Sequence, residues 1–102
     1  MHLVQVLLPL YDNAGTAQPG DLFRAVAAEL TERFGGLTAY TRSPAEGRWK
    51  EDASTTARDD VVLFEVLADS IDRRWWAAYR RGLETRFRQE HVLIRAHAVE
   101  VL

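Results

Sequence analysis

The chain has 102 residues, a net charge of -2, 47% hydrophobic residues and no cysteine. That length is read as a single domain over residues 1–102, and the missing cysteine excludes disulfides, thiolate metal centres and cysteine nucleophiles. The small negative charge gives no overall pull toward nucleic acid or an anionic membrane, and no apolar run approaches the ~20 residues of a membrane span.

Met1-His2-Leu3-Val4 carries no basic leader, so the expectation is a soluble cytoplasmic protein. Leu3 to Leu8 reads as the first strand, with Val4, Val6 and Leu8 on one side and Leu3, Gln5 and Leu7 on the other. Pro9, which has no N–H for a ladder, ends it. Tyr11 to Gly20 is a connecting loop built on Asp12-Asn13-Ala14-Gly15. Its glycines are too sparse for a phosphate-binding signature.

Asp21 to Phe34 reads as a helix capped by Asp21, with Leu22, Val26, Leu30 and Phe34 recurring every fourth residue. Gly35-Gly36 supplies its left-handed stop. Leu37 to Arg42 is the second strand, interrupted by Ser43-Pro44; Glu46 to Lys50 is expected to resume an extended arm carrying Trp49, Glu51 to Thr56 is turn-like, and Ser43 to Ala57 as a whole is read as a long link. Val61 to Leu67 is the most apolar stretch and is expected to be a central strand, interrupted only by Glu65. Ser70 to Gln89 is the second helix, capped at Asp69 or Ser70, with Trp76, Tyr79, Leu83 and Phe87 as its buried stripe. Gly82 within it points to a close backbone approach, and Arg80 and Arg88 each stand four residues from Glu84. His91 to Ala98 is the last strand, and Val99 to Leu102 continues its apolar pattern.

Strand, helix, strand, strand, helix, strand is the ferredoxin-like βαββαβ pattern: an α+β fold with a four-stranded antiparallel sheet in the order 4-1-3-2 and two helices on one face. The two most apolar strands then fall at the centre. The helices cover Val4, Val6, Leu8, Val62, Phe64, Val66, Val92 and Ile94. The other face carries Leu3, Leu7, Leu63, Leu67 and Leu93, crossed by Tyr40 or Arg42, Glu65, Gln5, and Arg95 or His97. Burying a leucine contributes about 1.5–3 kcal/mol, so a face of this kind left in water marks an interface or a ligand groove. A homodimer through the open sheet face, with or without a small apolar ligand between the copies, is the expected arrangement.

The run Arg33-Phe34-Gly35-Gly36-Leu37-Thr38-Ala39-Tyr40, with Gly47-Arg48-Trp49 and Val61 to Leu67, resembles uncharacterised small bacterial ferredoxin-like proteins. The arrangement is similar to the dimeric α+β barrel group, which includes small monooxygenases, haem-degrading enzymes and lactone isomerases. The resemblance implies a fold and a habit of dimerising; no catalytic motif of the group carries over residue by residue.

Glu65, His97, Tyr40 and Arg95 are the candidate catalytic residues: a carboxylate on a partly apolar face beside a histidine and a guanidinium forms an acid–base set. The plainer reading of the same residues is a polar cluster that fixes dimer register. Gln5, Glu65, Arg42 and Trp49 are the candidate ligand-binding residues, Trp49 as a lid or as an anchor on the partner. His2, His91 and His97 form no metal-binding spacing, so neither metal nor cofactor is expected. The open-face positions hold leucines where nucleic-acid modules need stacking aromatics, so no nucleic-acid partner is expected. Two functions follow. The first is a non-catalytic binding or accessory module. The alternative is a cofactor-independent enzyme, monooxygenase- or isomerase-like, acting on a small apolar or aromatic metabolite.

Overall fold

Three apolar alternations, at Val4/Val6/Leu8, Val62/Phe64/Val66 and Val92/Ile94, put one side chain in every two on the same side of the sheet. That side is where the core lies. The computed structural model describes the backbone of residues 1–50 and 56–102 and the side chains of residues 1–40 and 61–102. Its elements are β1 (His2–Pro9), α1 (Gly20–Phe34), β2 (Thr38–Lys50), β3 (Thr56–Ala68), α2 (Arg73–Arg86) and β4 (Ile94–Ala98). The strands form one open antiparallel sheet in the order β2-β3-β1-β4, which is 4-1-3-2 read from the other edge.

Both helices pack on the same face. Val26 and Leu30 of α1 and Trp76 and Leu83 of α2 are buried in one cluster with Val4, Val6, Leu8, Phe64 and Val66. Phe34 stacks on Trp76 with ring centroids 5.3 Å apart, joining the two helices through aromatic area rather than polar contacts. No helix of the described residues is long and apolar enough to cross a membrane.

Several boundaries differ from the sequence expectation. The expected arm over Glu46 to Lys50 is present, and Ser43-Pro44 lies within one continuous strand rather than between two pieces. β2 continues to Lys50 and pairs with the first half of β3, from Ala45 opposite Val61 to Lys50 opposite Thr56, so most of the expected link is a long hairpin arm. β2 is an edge strand, where a proline removes no ladder bond, and a register shift between Tyr40 and Ala45 takes up the irregular residues. The role of Trp49 as lid or anchor lies outside the described residues.

α1 has no side-chain cap: Pro19 stands at its N-cap, and Gly35 closes it in the left-handed conformation, φ 79°. α2 starts later than expected, because Asp72 is its cap and accepts a hydrogen bond from the Trp75 N–H at 3.0 Å. Among the described residues Gly82 approaches no other backbone; a Cβ there would meet nothing within 4 Å. Arg88 has left the helix in a left-handed conformation, φ 54°, which removes it from the expected partnership with Glu84. Glu84 instead accepts from the Val92 N–H at 3.0 Å, pinning the entry to β4 onto α2, with Arg80 3.8 Å away.

Candidate functional site

The period of two that buries one side of each strand delivers the remaining residues to the helix-free face. There the register builds three rows. In the middle row Thr38 of β2 lies opposite Glu65 of β3, Glu65 opposite Gln5 of β1, and Gln5 opposite Arg95 of β4. Above it Tyr40 pairs with Leu63 and Leu63 with Leu7, whose N–H donates to the Leu93 carbonyl at 3.0 Å. Below it Leu67 pairs with Leu3, and Leu3 with His97. A polar row is thus set between two rows made mainly of leucine.

The middle row is a connected chain of hydrogen bonds. Arg95 Nε donates to Gln5 Oε1 at 2.7 Å, and Gln5 Nε2 donates to Glu65 Oε2 at 2.6 Å. Gln5 can link a cation to an anion because its amide offers one acceptor and one donor in opposite directions. Tyr40 stands diagonally across from Glu65, whose carboxylate, as a hydrogen-bond acceptor and by its charge, holds the phenol above its ordinary pKa of 10.0. Tyr40, Glu65, Gln5 and Arg95 therefore form one network spanning all four strands.

The network is half open to solvent. Gln5, Glu65, Leu3, Leu7 and Leu63 are half-buried, while Tyr40, Leu67 and Leu93 are 48%, 44% and 42% exposed. Leucines that exposed on one face of the sheet form a surface with an unmet apolar demand. Of the residues singled out in the sequence, Glu65, Gln5, Arg95 and Tyr40 are brought into contact. His97 stands opposite Leu3, one row from Arg95, and no hydrogen bond joins it to Glu65 among the described residues. The side chains of Arg42 and Trp49 lie outside the described residues.

What the arrangement can do follows from its charges. One end presents a guanidinium, the other a carboxylate with a phenol held in its protonated form, and apolar rows run on both sides. Such a surface suits a small molecule with separated charges and an apolar or aromatic body. A phenol donating to a carboxylate also provides a proton held next to its acceptor. Among the described residues no group of three or more His, Asp or Glu side chains is placed to hold a metal ion.

The sequence sets Gln5 in the row between Glu65 and either Arg95 or His97; its role as the hydrogen-bonded bridge to Arg95 emerges only in the structure. Its signal was the single polar residue within Leu3 to Leu8, at the same parity as Glu65, but the pairing depends on a register that the sequence leaves open.

No protein-family model matches the chain, and no curated protein matches it in sequence. Two solved structures match its fold. A phage SAM lyase in complex with S-methyl-5'-thioadenosine superimposes with a TM-score of 0.63 at 12% identity, over 94% of this chain and 79% of the lyase chain. The same description applies to a phage SAM lyase in its apo state, with a TM-score of 0.58 at 13% identity, over 94% of this chain and 78% of that one. The chain thus shares its α+β architecture with small enzymes of that kind.

Proposed function

We propose that this chain is a small ferredoxin-like enzyme that needs no bound cofactor and works on a small metabolite held against the open sheet face. Glu65 is the central charged group of that site. The observation that carries the reading is the continuous Tyr40–Glu65–Gln5–Arg95 network set between leucine rows on an uncovered face. A surface meant only for a dry protein interface gains little from a carboxylate and a guanidinium at its centre, since removing both from water is costly. The fold shared with phage SAM lyases favours the enzyme reading over a non-catalytic accessory module.

The chemistry of the row narrows the substrate class. A purely apolar metabolite would leave Glu65 and Arg95 without use. A zwitterion with an aromatic body would use both. SAM has this character: a sulfonium cation, an amino-acid carboxylate and an adenine ring. Glu65 offers the counter-charge to the sulfonium, Arg95 a partner for the carboxylate, and Tyr40 an exposed ring for the base. A second copy closing over the face, in the manner of the dimeric α+β barrels, excludes water from the site.

Incubation of the purified protein with SAM, followed by chromatography for S-methyl-5'-thioadenosine, tests the reading. Release of the thioether by the wild type, falling at least ten-fold in Glu65→Gln, is the expected result. Equal release by both proteins would remove Glu65 from the chemistry. No release and no binding of SAM would remove this substrate class.

A further inference from the structure

A second feature lies at the β4 margin, mainly on the helix side of the sheet and bordered by Arg95 and His97 of the edge strand. A cavity of about 500 Å³ runs between α2 and β4. Its floor includes Val4, Trp76 and Ala96, and Arg73 and Arg80 form its helix wall. Among the described residues no carboxylate lines it. Glu84 stands at one end, 3.8 Å from Arg80. Two buried polar atoms without a hydrogen-bond partner, His2 Nδ1 and Arg80 Nε, both belong to residues that line this cavity. Ala96 and Ala98 face it and are exposed, so nothing described covers this side of β4.

Among the described residues, the backbone beside the cavity has a strand partner on one side only. Leu7 N–H donates to the Leu93 carbonyl and Val99 N–H to the Met1 carbonyl, both at 3.0 Å. In an antiparallel ladder such hydrogen-bonded pairs alternate, so the odd-numbered residues of this segment bond to β1. The N–H and C=O groups of Ile94, Ala96 and Ala98 then point outward from an edge strand. Exposed edges of this kind are templates for strand addition.

We propose that the occupant is the Val99–Leu102 segment of a second copy, added antiparallel to β4 about a two-fold axis through Ala98. The sequence parity fits this pairing. Ala98 then faces its own counterpart, Ala96 faces Glu100 of the other copy, and Ile94 faces Leu102. All of these are even-numbered, so all have outward backbone groups and all lie on the helix side. Glu100 enters between Arg73 and Arg80, because α2 runs opposite to β4: Glu84 meets Val92 at one end, and Arg73 lines the cavity with Ala98 at the other. Leu102 covers Ile94. Val101, 61% exposed in the single chain, stays on the leucine face and extends it. The contact is isologous, so each copy gives one segment and receives one.

The absence of native cysteine makes the register testable by cross-linking. Opposed residues of a hydrogen-bonded pair have Cα atoms ~5.5 Å apart, within the ~4.4–6.8 Å that a disulfide spans. Ala98→Cys is therefore expected to give a covalent dimer under mild oxidation, at least ten-fold faster than Ala96→Cys. The latter faces its own counterpart only at a four-residue offset, roughly 13 Å away. A mixture of Ala96→Cys and Glu100→Cys should cross-link, and Glu100→Arg within the Ala98→Cys chain should slow the reaction. Adding Arg73→Glu and Arg80→Glu to that chain should restore it. Leu63→Asp should leave the cross-link intact, which separates this contact from pairing through the leucine face. Circular dichroism of each variant confirms folding. Equal rates for Ala98→Cys and Ala96→Cys, or no cross-link from a folded Ala98→Cys protein, would overturn the proposal; a free anion as the groove's occupant predicts the latter.

Discussion

Glu65 illustrates how one residue acquires its role from neighbours distant in sequence. On its own strand it is a polar interruption between Phe64 and Val66, both buried on the other side. Across the sheet it becomes the acceptor for Gln5 and Tyr40, and through Gln5 it is tied to Arg95. Replacing its charge should be felt at the phenol. In Glu65→Gln the Tyr40 pKa is expected to fall toward 10.0, because the charged acceptor that favours the protonated phenol is gone. A carbon-detected NMR titration of the tyrosine ring resolves Tyr40 from Tyr11 and Tyr79. An unchanged Tyr40 value would mean that the phenol does not sense Glu65 in solution.

At the scale of the elements, the two helices are held together by an ion cluster on their outer side as well as by the core. Arg86 Nη1 and Nη2 donate to the two Glu29 oxygens at 3.0 and 2.8 Å, and the Tyr79 hydroxyl donates to Oε1 at 2.7 Å. The hydrogen bonds from Arg86 outweigh the cost of partial burial and hold the Glu29 carboxyl below its ordinary value of 4.5. Burial, with the Glu29 hydrogen bond, pushes the Tyr79 phenol far up. A carboxylate depressed on folding contributes stability above its unfolded pKa and loses it as pH falls through the lower folded value. Glu29→Gln is therefore expected to destabilise the protein at pH 7 by about 1 kcal/mol, the scale for a partly exposed pair, and to match the wild type in acid below that folded value. Urea melts at pH 7 and near pH 2 measure the difference; an equal deficit at both would assign the effect to packing instead.

The elements also show what the sequence could and could not disclose. The alternation in Leu3 to Leu8 and Val61 to Leu67 sorted the two faces of the sheet correctly, because a period of two is a local property of the chain. The stop at Gly35 was equally legible, as its left-handed backbone needs glycine. The extended arm over Glu46 to Lys50 was legible too, but not that it joins Leu37 to Arg42 in one strand through Pro44: whether a proline breaks a strand depends on its being at the edge, which is a tertiary fact. The left-handed Arg88 is of the same kind, since nothing in an arginine announces it. Within the site, parity placed Glu65, Gln5 and Arg95 on one face, but only register joined them into a single chain of hydrogen bonds and set His97 one row aside.

For the whole molecule the decisive asymmetry is between the two faces of the sheet. One is sealed by α1 and α2, with Val6, Leu8 and Phe64 almost wholly buried. The other keeps its leucines half in water around a charged row. Closing that face with a second copy should depend on Leu63, which lies at its centre between Tyr40 and Leu7. Leu63→Asp places a charge where each copy would have to be desolvated, and is expected to lower the sedimentation coefficient at micromolar concentration while far-ultraviolet circular dichroism stays unchanged. An unaltered coefficient would leave the face free to hold ligand alone.

The account rests on the leucine face, rather than the helix side, being where a small molecule sits. Methyl NMR spectra recorded during a titration with SAM examine that directly. The expected result is a saturable shift of the Leu3, Leu7, Leu63 and Leu67 methyls, with Val26, Leu30 and Leu83 unmoved. Saturation without movement of the first group, or movement confined to the second, would contradict it.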